Sequence, residues 1–429
     1  MSQPLDALTV RGTVSVPGDK SVSHRALMLS TLASGRSRIA GLLDSADTRA
    51  TAGALRACGA RLTRDAEALV VHGAGHRGLS APTNDIDCGN SGTTARLMSG
   101  ILAAHPFRSR LIGDASLSRR PMRRIIAPLS AMGAAMHSER GDGLPMSVVG
   151  ADLRPLDWRS DVASAQVKSA ILFAAYGAGV SVSVAEPTRS RDHTERMMRA
   201  FGAKLESAGN AVRFVPSGDL HAFELRVPGD PSSAAFFVAL ATIADAGALR
   251  LTNVGLNPTR TGFFELVRRM GGALAVEEAR EEGCEPVGTL HCAPAPLRGI
   301  AVGGDEVPAG IDELPLLAVL AARADGETVV SGAAELRVKE SDRIAAVVGN
   351  LRALGARAEE RPDGFVVQGS DAPLRGRVRT HGDHRMAMAF GILAALPGND
   401  ITIDDPACVA VSYPGFWDDL RRATGGGNA

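Results

Sequence analysis

One pattern recurs roughly every 70 residues, six times over, and self-similarity at a fixed spacing is the mark of a repeated supersecondary unit. Each copy has a polar or Gly-containing opening that leads into an Ala/Leu-rich helix and then a short β-like run. The openings are Gly18-Asp19-Lys20-Ser21, Cys88-Gly89-Asn90-Ser91-Gly92-Thr93, Ala163-Ser164-Ala165-Gln166, Pro228-Gly229-Asp230-Pro231-Ser232, Ile311-Asp312-Glu313-Leu314 and Gly382-Asp383-His384-Arg385. A second helix follows most of them and ends in a Gly-Ala or Gly-Gly step, as in Leu129-Ser130-Ala131-Met132-Gly133-Ala134 and Leu351-Arg352-Ala353-Leu354-Gly355-Ala356. Glycine there suits a left-handed C-cap before a strand. Six α+β units of two helices and several strands read most simply as two domains of three. The first helix of each unit is apolar nearly all round (Ile171-Leu172-Phe173-Ala174-Ala175; Ala234-Ala235-Phe236-Phe237-Val238-Ala239-Leu240), so these helices should be buried with the strands outside them. The sixth unit is expected to lack a full second helix, and the tail Gly425–Gly427 to fray.

The first opening is the most heavily functionalised. A short strand, Thr13 to Val16, is broken by Pro17-Gly18, and a helix should open at Asp19 or Ser21, both good N-cap residues. Lys20, Ser21 and Arg25 then cluster in its first turns, where unpaired amides and the helix dipole favour an anion. This describes either a phosphate or carboxylate site or a capped helix with solvated charges. Lysine is otherwise scarce: of 47 basic residues only Lys20, Lys168, Lys204 and Lys339 are Lys, which hints at a need for a compact ammonium at 20 and 339.

Composition narrows the partners. Acidic and basic residues balance at 47 each, aromatics make up 4%, and no Lys/Arg-rich run appears, which argues against nucleic acid or a membrane surface as partner. Residues 1–10 lack the basic start and apolar run of a signal peptide, and no apolar segment is long enough to span a bilayer. Cys58, Cys88, Cys284, Cys292 and Cys408 show no Cys-x-x-Cys spacing and read as reduced core thiols of a soluble cytoplasmic protein. Gly73-Ala74-Gly75-His76-Arg77-Gly78 fits the dinucleotide fingerprint on paper, but Pro82 follows where a helix must begin, so it reads as a hairpin turn. Gly18-Asp19-Lys20-Ser21 lacks the upstream glycine of a nucleotide-binding P-loop, and His381-Gly382-Asp383-His384 has no third metal ligand in view.

Cations are spread over separate repeats: Lys20 and Arg25 in the first, Arg120 in the second, Arg191 in the third, Lys339 and Arg343 in the fifth and Arg385 in the sixth. Placed on one helix, Lys339 and Arg343 would share a face. Their recurrence at openings and turns, in a chain of no net charge, suggests a concentrated positive cleft for a small, highly anionic ligand. Two carboxylates stand among them. Asp312 is either the N-cap of an apolar helix or an acid held ionised by its neighbours, and Glu340 adjoins Lys339; either could exchange protons with a bound substrate.

Six motifs, in order along nearly the whole chain, resemble those of the 5-enolpyruvylshikimate-3-phosphate synthase family. They are Pro17-Gly18-Asp19-Lys20-Ser21-Val22-Ser23-His24-Arg25, Gly89-Asn90-Ser91-Gly92-Thr93-Thr94-Ala95-Arg96, Arg120-Pro121-Met122, Ser164-Ala165-Gln166, Arg337-Val338-Lys339-Glu340-Ser341-Asp342-Arg343 and Asp383-His384-Arg385-Met386-Ala387-Met388. The resemblance implies an α/β fold of two inverted α/β barrel domains, each of three βαβαββ-type repeats. Residues 1–17 and 228–429 would form one domain and 18–227 the other, with the active site in the cleft between them.

It also implies transfer of an enolpyruvyl group from phosphoenolpyruvate to the 5-hydroxyl of shikimate 3-phosphate, by a monomer and without cofactor or metal. Lys20, Ser21, Arg25, Ser164, Gln166, Arg191, Asp312 and Lys339 would hold shikimate 3-phosphate. Lys20, Gly92, Arg120, Gln166, Arg343 and Arg385 would hold phosphoenolpyruvate, and Asp312, Glu340 and Lys20 would move protons. The chain departs from many members at Val411, where they carry lysine, and at Ala165, where they carry a second serine. The competing readings are a UDP-N-acetylglucosamine enolpyruvyl transferase, which uses a loop cysteine that Cys88 does not match in context, and a non-catalytic binder of phosphorylated ligands.

Overall fold

The computed structural model describes residues 7–65 and 67–425. Its regular elements obey one rule. In each of five four-stranded sheets a strand pairs in parallel with the strand that follows the first helix, and the closing hairpin adds antiparallel to that second strand. The second repeat is typical: Ile86–Asp87 runs parallel to Arg108–Ile112, which pairs antiparallel with Met146–Val149, which in turn pairs with Ala135–Ser138. Buried residues alternate along Arg108–Ile112, so one sheet face covers the helices and the other meets water.

The chain divides into two compact units. One takes the described residues of Met1–Pro17, Pro228–Glu281 and Pro286–Ala429; the other takes Gly18–Val227 and Glu282–Glu285. Residues 282–285, placed by the sequence reading in the domain of 228–429, belong with the other unit. The cause is local: Cys284 is buried in that unit's apolar core and the Glu285 carboxylate lies 2.6 Å from the ring of His193, itself 2% exposed. In each unit the first sheet borrows its parallel strand. Glu224–Arg226 completes the sheet of Ser34–Ala40, and Thr13–Val14 completes that of Leu249–Gly255.

The first helices form the cores. Lys20–Leu32, Gly92–Ala103 and Ala165–Ala178 are buried in one unit, and Pro231–Ile243, Leu314–Ala321 and His384–Ala394 in the other. Every residue of Leu314–Ala321 is buried, and each large apolar side chain so removed from water contributes roughly 2 kcal/mol. Five of the six are capped by their own opening: the side chains of Asp19, Ser91, Ser164, Asp230 and Asp383 accept from backbone N–H groups of the first turn. The second helices end at Gly59, Gly133, Gly202, Gly271 and Gly355, with φ from 87° to 120°. Only glycine enters that region without strain.

Two local expectations fail. The first strand stops at Val14. The sixth repeat does have a second helix, Phe416–Ala423, which is anchored by the buried side chains of Phe416, Leu420 and Ala423 on one face. That repeat's sheet has two strands, Arg375–Val378 and Asp400–Ile403, among the described residues. Of the glycine tail, Gly426 and Gly427 lie outside the described residues. The Gly73–Gly78 segment is the end of strand Ala68–Ala74 and a turn, and no helix opens on it. Among the described residues no helix is long and apolar enough to cross a membrane.

Candidate functional site

The helix openings of each unit gather the predicted residues into one polar cluster per unit. In the unit of Gly18–Val227, Asp19 caps helix Lys20–Leu32, which leaves Lys20 at the first helical position with Nζ 3.1 Å from Asp47 Oδ2. Ser21 is half-buried beside it. Arg25, one turn on, is 3% exposed: Nε donates to Thr194 Oγ1 at 2.6 Å, Nη1 to the Ser21 carbonyl at 3.0 Å and Nη2 to Ser169 Oγ at 2.9 Å. Burial lowers its pKa to about 10. Arg25 therefore ties the first repeat to the third beneath the opening, and of the two sequence readings the solvated charge does not hold for it.

Under the same turn, the His24 ring meets Thr51 Oγ1 at 2.6 Å, Thr51 meets Thr94 Oγ1 at 2.6 Å, and the Thr94 hydroxyl donates to Ser91 Oγ at 2.8 Å. Burial, with Lys20 and Arg25 adding to it, drives the imidazole pKa well below its ordinary value, so His24 is neutral.

The second and third openings meet around Gly92. A β-carbon on Gly92 would stand 3.1 Å from Arg96 Nη1 and 3.2 Å from Arg120 Nη1, so two guanidinium groups hang directly over a bare α-carbon. Arg120 Nη2 donates to Asn90 Oδ1 at 2.9 Å; Arg96 donates to Gln166 Oε1 at 2.7 Å and to the Pro121 carbonyl at 3.2 Å. Gln166 Nε2 donates to Thr93 Oγ1 at 3.1 Å. Ser164 caps helix Ala165–Ala178 and gives its backbone N–H to Glu186, which also pairs with buried Lys168 at 2.8 Å; Arg191 is half-buried before the helix His193–Ala200.

In the other unit the cluster centres on Asp312. Of the two sequence readings, helix cap or acid beside cations, the cap fails: Ile311–Glu313 forms a 3-10 turn ahead of Leu314–Ala321 and neither element has a side-chain cap. Its carboxylate faces three cations instead: Oδ1 is 3.1 Å from Arg343 Nη1 and 3.4 Å from Lys339 Nζ, and Oδ2 is 3.9 Å from Arg385 Nη2. Lys339 and Arg343 do not share a helix, as their spacing suggested. Lys339 is extended (φ −82°, ψ −152°) at the end of the 3-10 turn Ala334–Val338, and helix Arg343–Ala353 begins only after Asp342 caps it. The two side chains nevertheless converge on one oxygen.

Arg343, 1% exposed, also pairs with Glu340 at 2.7 Å and with Asp383 at 2.8 Å. Burial opposes its charge, but Asp383, Glu340 and Asp312 outweigh that and hold its pKa above the ordinary value. Arg385 Nη1 donates to the Asp312 carbonyl and to Glu313 Oε1, each at 2.9 Å.

Sequence reasoning missed Arg96, Asp47, Asp383 and Glu313 as members of these clusters. Arg96, Asp383 and Glu313 lie within or beside the quoted openings, where a charged residue entering an apolar helix was the available signal. The Asp47 contact joins residues 27 apart, which no local pattern reveals. Val411 ends a 3-10 helix, Pro406–Val411, and is half-buried. Burial pushes the thiols of Cys58 up to about 11 and of Cys88, Cys292 and Cys408 up to about 12, which leaves none of these four a nucleophile near neutral pH. His381 is exposed in the left-handed region (φ 54°) while His384 is buried, so the two do not present a common ligand face.

Comparison with known proteins places these clusters in context. The sequence model of the family described as EPSP synthase (3-phosphoshikimate 1-carboxyvinyltransferase) matches residues 6–420. A 3-phosphoshikimate 1-carboxyvinyltransferase from Acidithiobacillus ferrooxidans is 50% identical over 406 residues, 94% of this chain and 93% of that protein. One from Geobacter metallireducens is 46% identical and covers 96% of each chain. Among solved structures, EPSP synthase from Acinetobacter baumannii superposes with a TM-score of 0.86 at 41% identity, covering 97% of this chain and 96% of that one. The enolpyruvyl transferase NikO from Streptomyces tendae superposes with a TM-score of 0.75 at 19% identity over 97% and 96% of the two chains, which is a likeness of fold.

Proposed function

This chain belongs to the EPSP synthase family, and we propose that it transfers the enolpyruvyl group of phosphoenolpyruvate to the 5-hydroxyl of shikimate 3-phosphate, releasing phosphate, as a cytoplasmic monomer. The observation that carries this reading is Asp312, a carboxylate enclosed by Lys339, Arg343 and Arg385 rather than used to cap its own helix.

Lys20, Ser21, Arg25, Ser164, Gln166, Arg191, Asp312 and Lys339 bind shikimate 3-phosphate in this reading; Lys20, Gly92, Arg120, Gln166, Arg343 and Arg385 bind phosphoenolpyruvate. Arg25 gives three N–H groups to protein partners, so it meets the ligand through those that remain and chiefly orients Ser21. Arg343 is ringed by three carboxylates, so a phosphate reaching it displaces Glu340, whose side chain is the most exposed of the three at 23%. That exchange releases Glu340 for proton transfer at the moment the donor binds.

The chemistry runs in two steps. In the addition, Asp312 takes the proton of the 5-hydroxyl as its oxygen attacks C2 of phosphoenolpyruvate, and the double-bond electrons take up a proton at C3, giving a tetrahedral ketal with a methyl group. In the elimination, a methyl proton is removed, its electrons re-form the double bond, and the C2–O bond breaks. The departing oxygen takes up a proton, so that the group leaves as hydrogen phosphate; this proton balances the one lost by the 5-hydroxyl. Lys20 and Glu340 serve the proton movements at C3. The guanidinium groups over Gly92 stabilise the dianionic leaving group. The deciding measurement is phosphate release with each substrate omitted in turn: release only when both are present supports the transfer, and binding without release would identify a non-catalytic binder.

A further inference from the structure

A buried chain of polar contacts runs through the fourth, fifth and sixth repeats behind Arg385, and none of its other members is among the proposed ligand contacts. Glu313 is 2% exposed, and its Oε1 accepts from Arg385 Nη1 at 2.9 Å and from the Ser232 hydroxyl. Ser232 in turn receives Arg260 Nη2 at 2.7 Å; Arg260, 4% exposed, also reaches Asp230 Oδ1 at 3.2 Å, and Asp230 caps the helix that carries Ser232. Glu313 Oε2 is buried and has no hydrogen-bond partner among the described residues. A carboxylate built for stability alone would be costly in this state, with one oxygen bare and solvent excluded. Its engaged oxygen sits where it can fix one nitrogen of a long, rotamer-rich arginine.

We propose that Glu313 is a positioning residue: backed by Ser232 and Arg260, it fixes the Arg385 guanidinium for the anionic donor substrate. The same Arg385 nitrogen bonds the Asp312 carbonyl at 2.9 Å, so one contact sets both the donor clamp and the backbone of the proposed base. This role rests on the activity proposed above.

The test is steady-state kinetics with phosphoenolpyruvate varied at saturating shikimate 3-phosphate, alongside calorimetric titration of shikimate 3-phosphate and thermal unfolding. Glu313→Ala should raise the KM for phosphoenolpyruvate at least about tenfold while the Kd for shikimate 3-phosphate stays within about twofold. Glu313→Gln keeps an oxygen acceptor and should bring that KM back to within about threefold of the parent protein. A donor KM unchanged in Glu313→Ala, no rescue by Gln, or equal loss of both substrates would overturn the role. If Glu313→Ala does not fold, Ser232→Ala takes its place and should raise the donor KM about threefold; an unchanged value there overturns the role equally. A parent protein that releases no phosphate from the two substrates would instead refute the proposed activity, and this role with it.

Discussion

Arg343 Nε lies 2.8 Å from Asp383 Oδ2, with 1% and 0% of the two side chains exposed, and the same Asp383 caps helix His384–Ala394 through the Arg385 N–H. One carboxylate therefore both neutralises the most buried guanidinium of the cluster and fixes the first turn from which Arg385 projects. Asp383→Ala should lower the unfolding free energy by roughly 3 kcal/mol, since Glu340 and Asp312 still partly compensate Arg343, and urea unfolding measures it. Burial alone would raise the Asp383 pKa, but Arg343 overrides it, so the folded value lies below the usual carboxylate range. The pair's contribution is therefore complete above about pH 4 and is lost as the pH falls below that.

Asp312→Ala should reduce kcat by at least about a hundredfold while weakening shikimate 3-phosphate far less, because a positioned base acts on the transition state. Titration of the binary complex beside single-turnover rates separates the two effects. A loss confined to affinity would remove Asp312 from the chemistry.

Lys20→Met should cost about a hundredfold or more in turnover with the thermal midpoint little changed. Lys20 is partly exposed and its pair with Asp47 is a modest contributor to stability. Near-parental activity would exclude Lys20 from donor binding and proton transfer alike.

Gly92→Ala should fold, since the added carbon is crowded only by the ends of the long Arg96 and Arg120 side chains, at 3.1 and 3.2 Å, and meets Leu117 at an ordinary 3.7 Å. Those ends must move by a few tenths of an ångström. The KM for phosphoenolpyruvate should rise about tenfold while shikimate 3-phosphate binds as before.

His24 supplies a pH signature of stability. Its folded pKa is far below 6.5, so from neutral pH downwards the unfolded chain takes up a proton that the folded protein refuses. Stability from this source is intact above pH 6.5 and falls by up to about 1.4 kcal/mol per pH unit below it. His24→Asn, compared with the parent by urea unfolding at pH 7 and 5.5, should show a shallower decline, and an equal decline would mean that His24 titrates alike in both states.

Much of the architecture was legible because its causes are local. An Asp or Ser before an apolar run makes a capped helix at Asp19, Ser91, Ser164, Asp230 and Asp383, and a Gly-Ala or Gly-Gly step ends a helix where only glycine tolerates the backbone. Lys20, Gly92, Ser164, Gln166, Asp312 and Arg385 stand in or at those openings, whereas Arg120, Arg191 and Lys339 lie in the turns ahead of the second helices and Arg343 begins one. Helical spacing misled for Lys339 and Arg343 because Asp342 starts its own helix between them. Chain position misled for residues 282–285, whose packing partners are remote in sequence.

The sequence by itself determined the sixfold repeat, the buried helices and which charged residues stand at their openings, because patterning and capping act over a few residues. Only the tertiary structure decided which charges are already matched. It placed Asp312 among three cations, surrounded Arg343 with three carboxylates and buried Arg25 against Thr194 and Ser169 of the third repeat. Pairing and burial are set by groups far apart along the chain, and in a low-dielectric interior it is they that fix how a charge behaves.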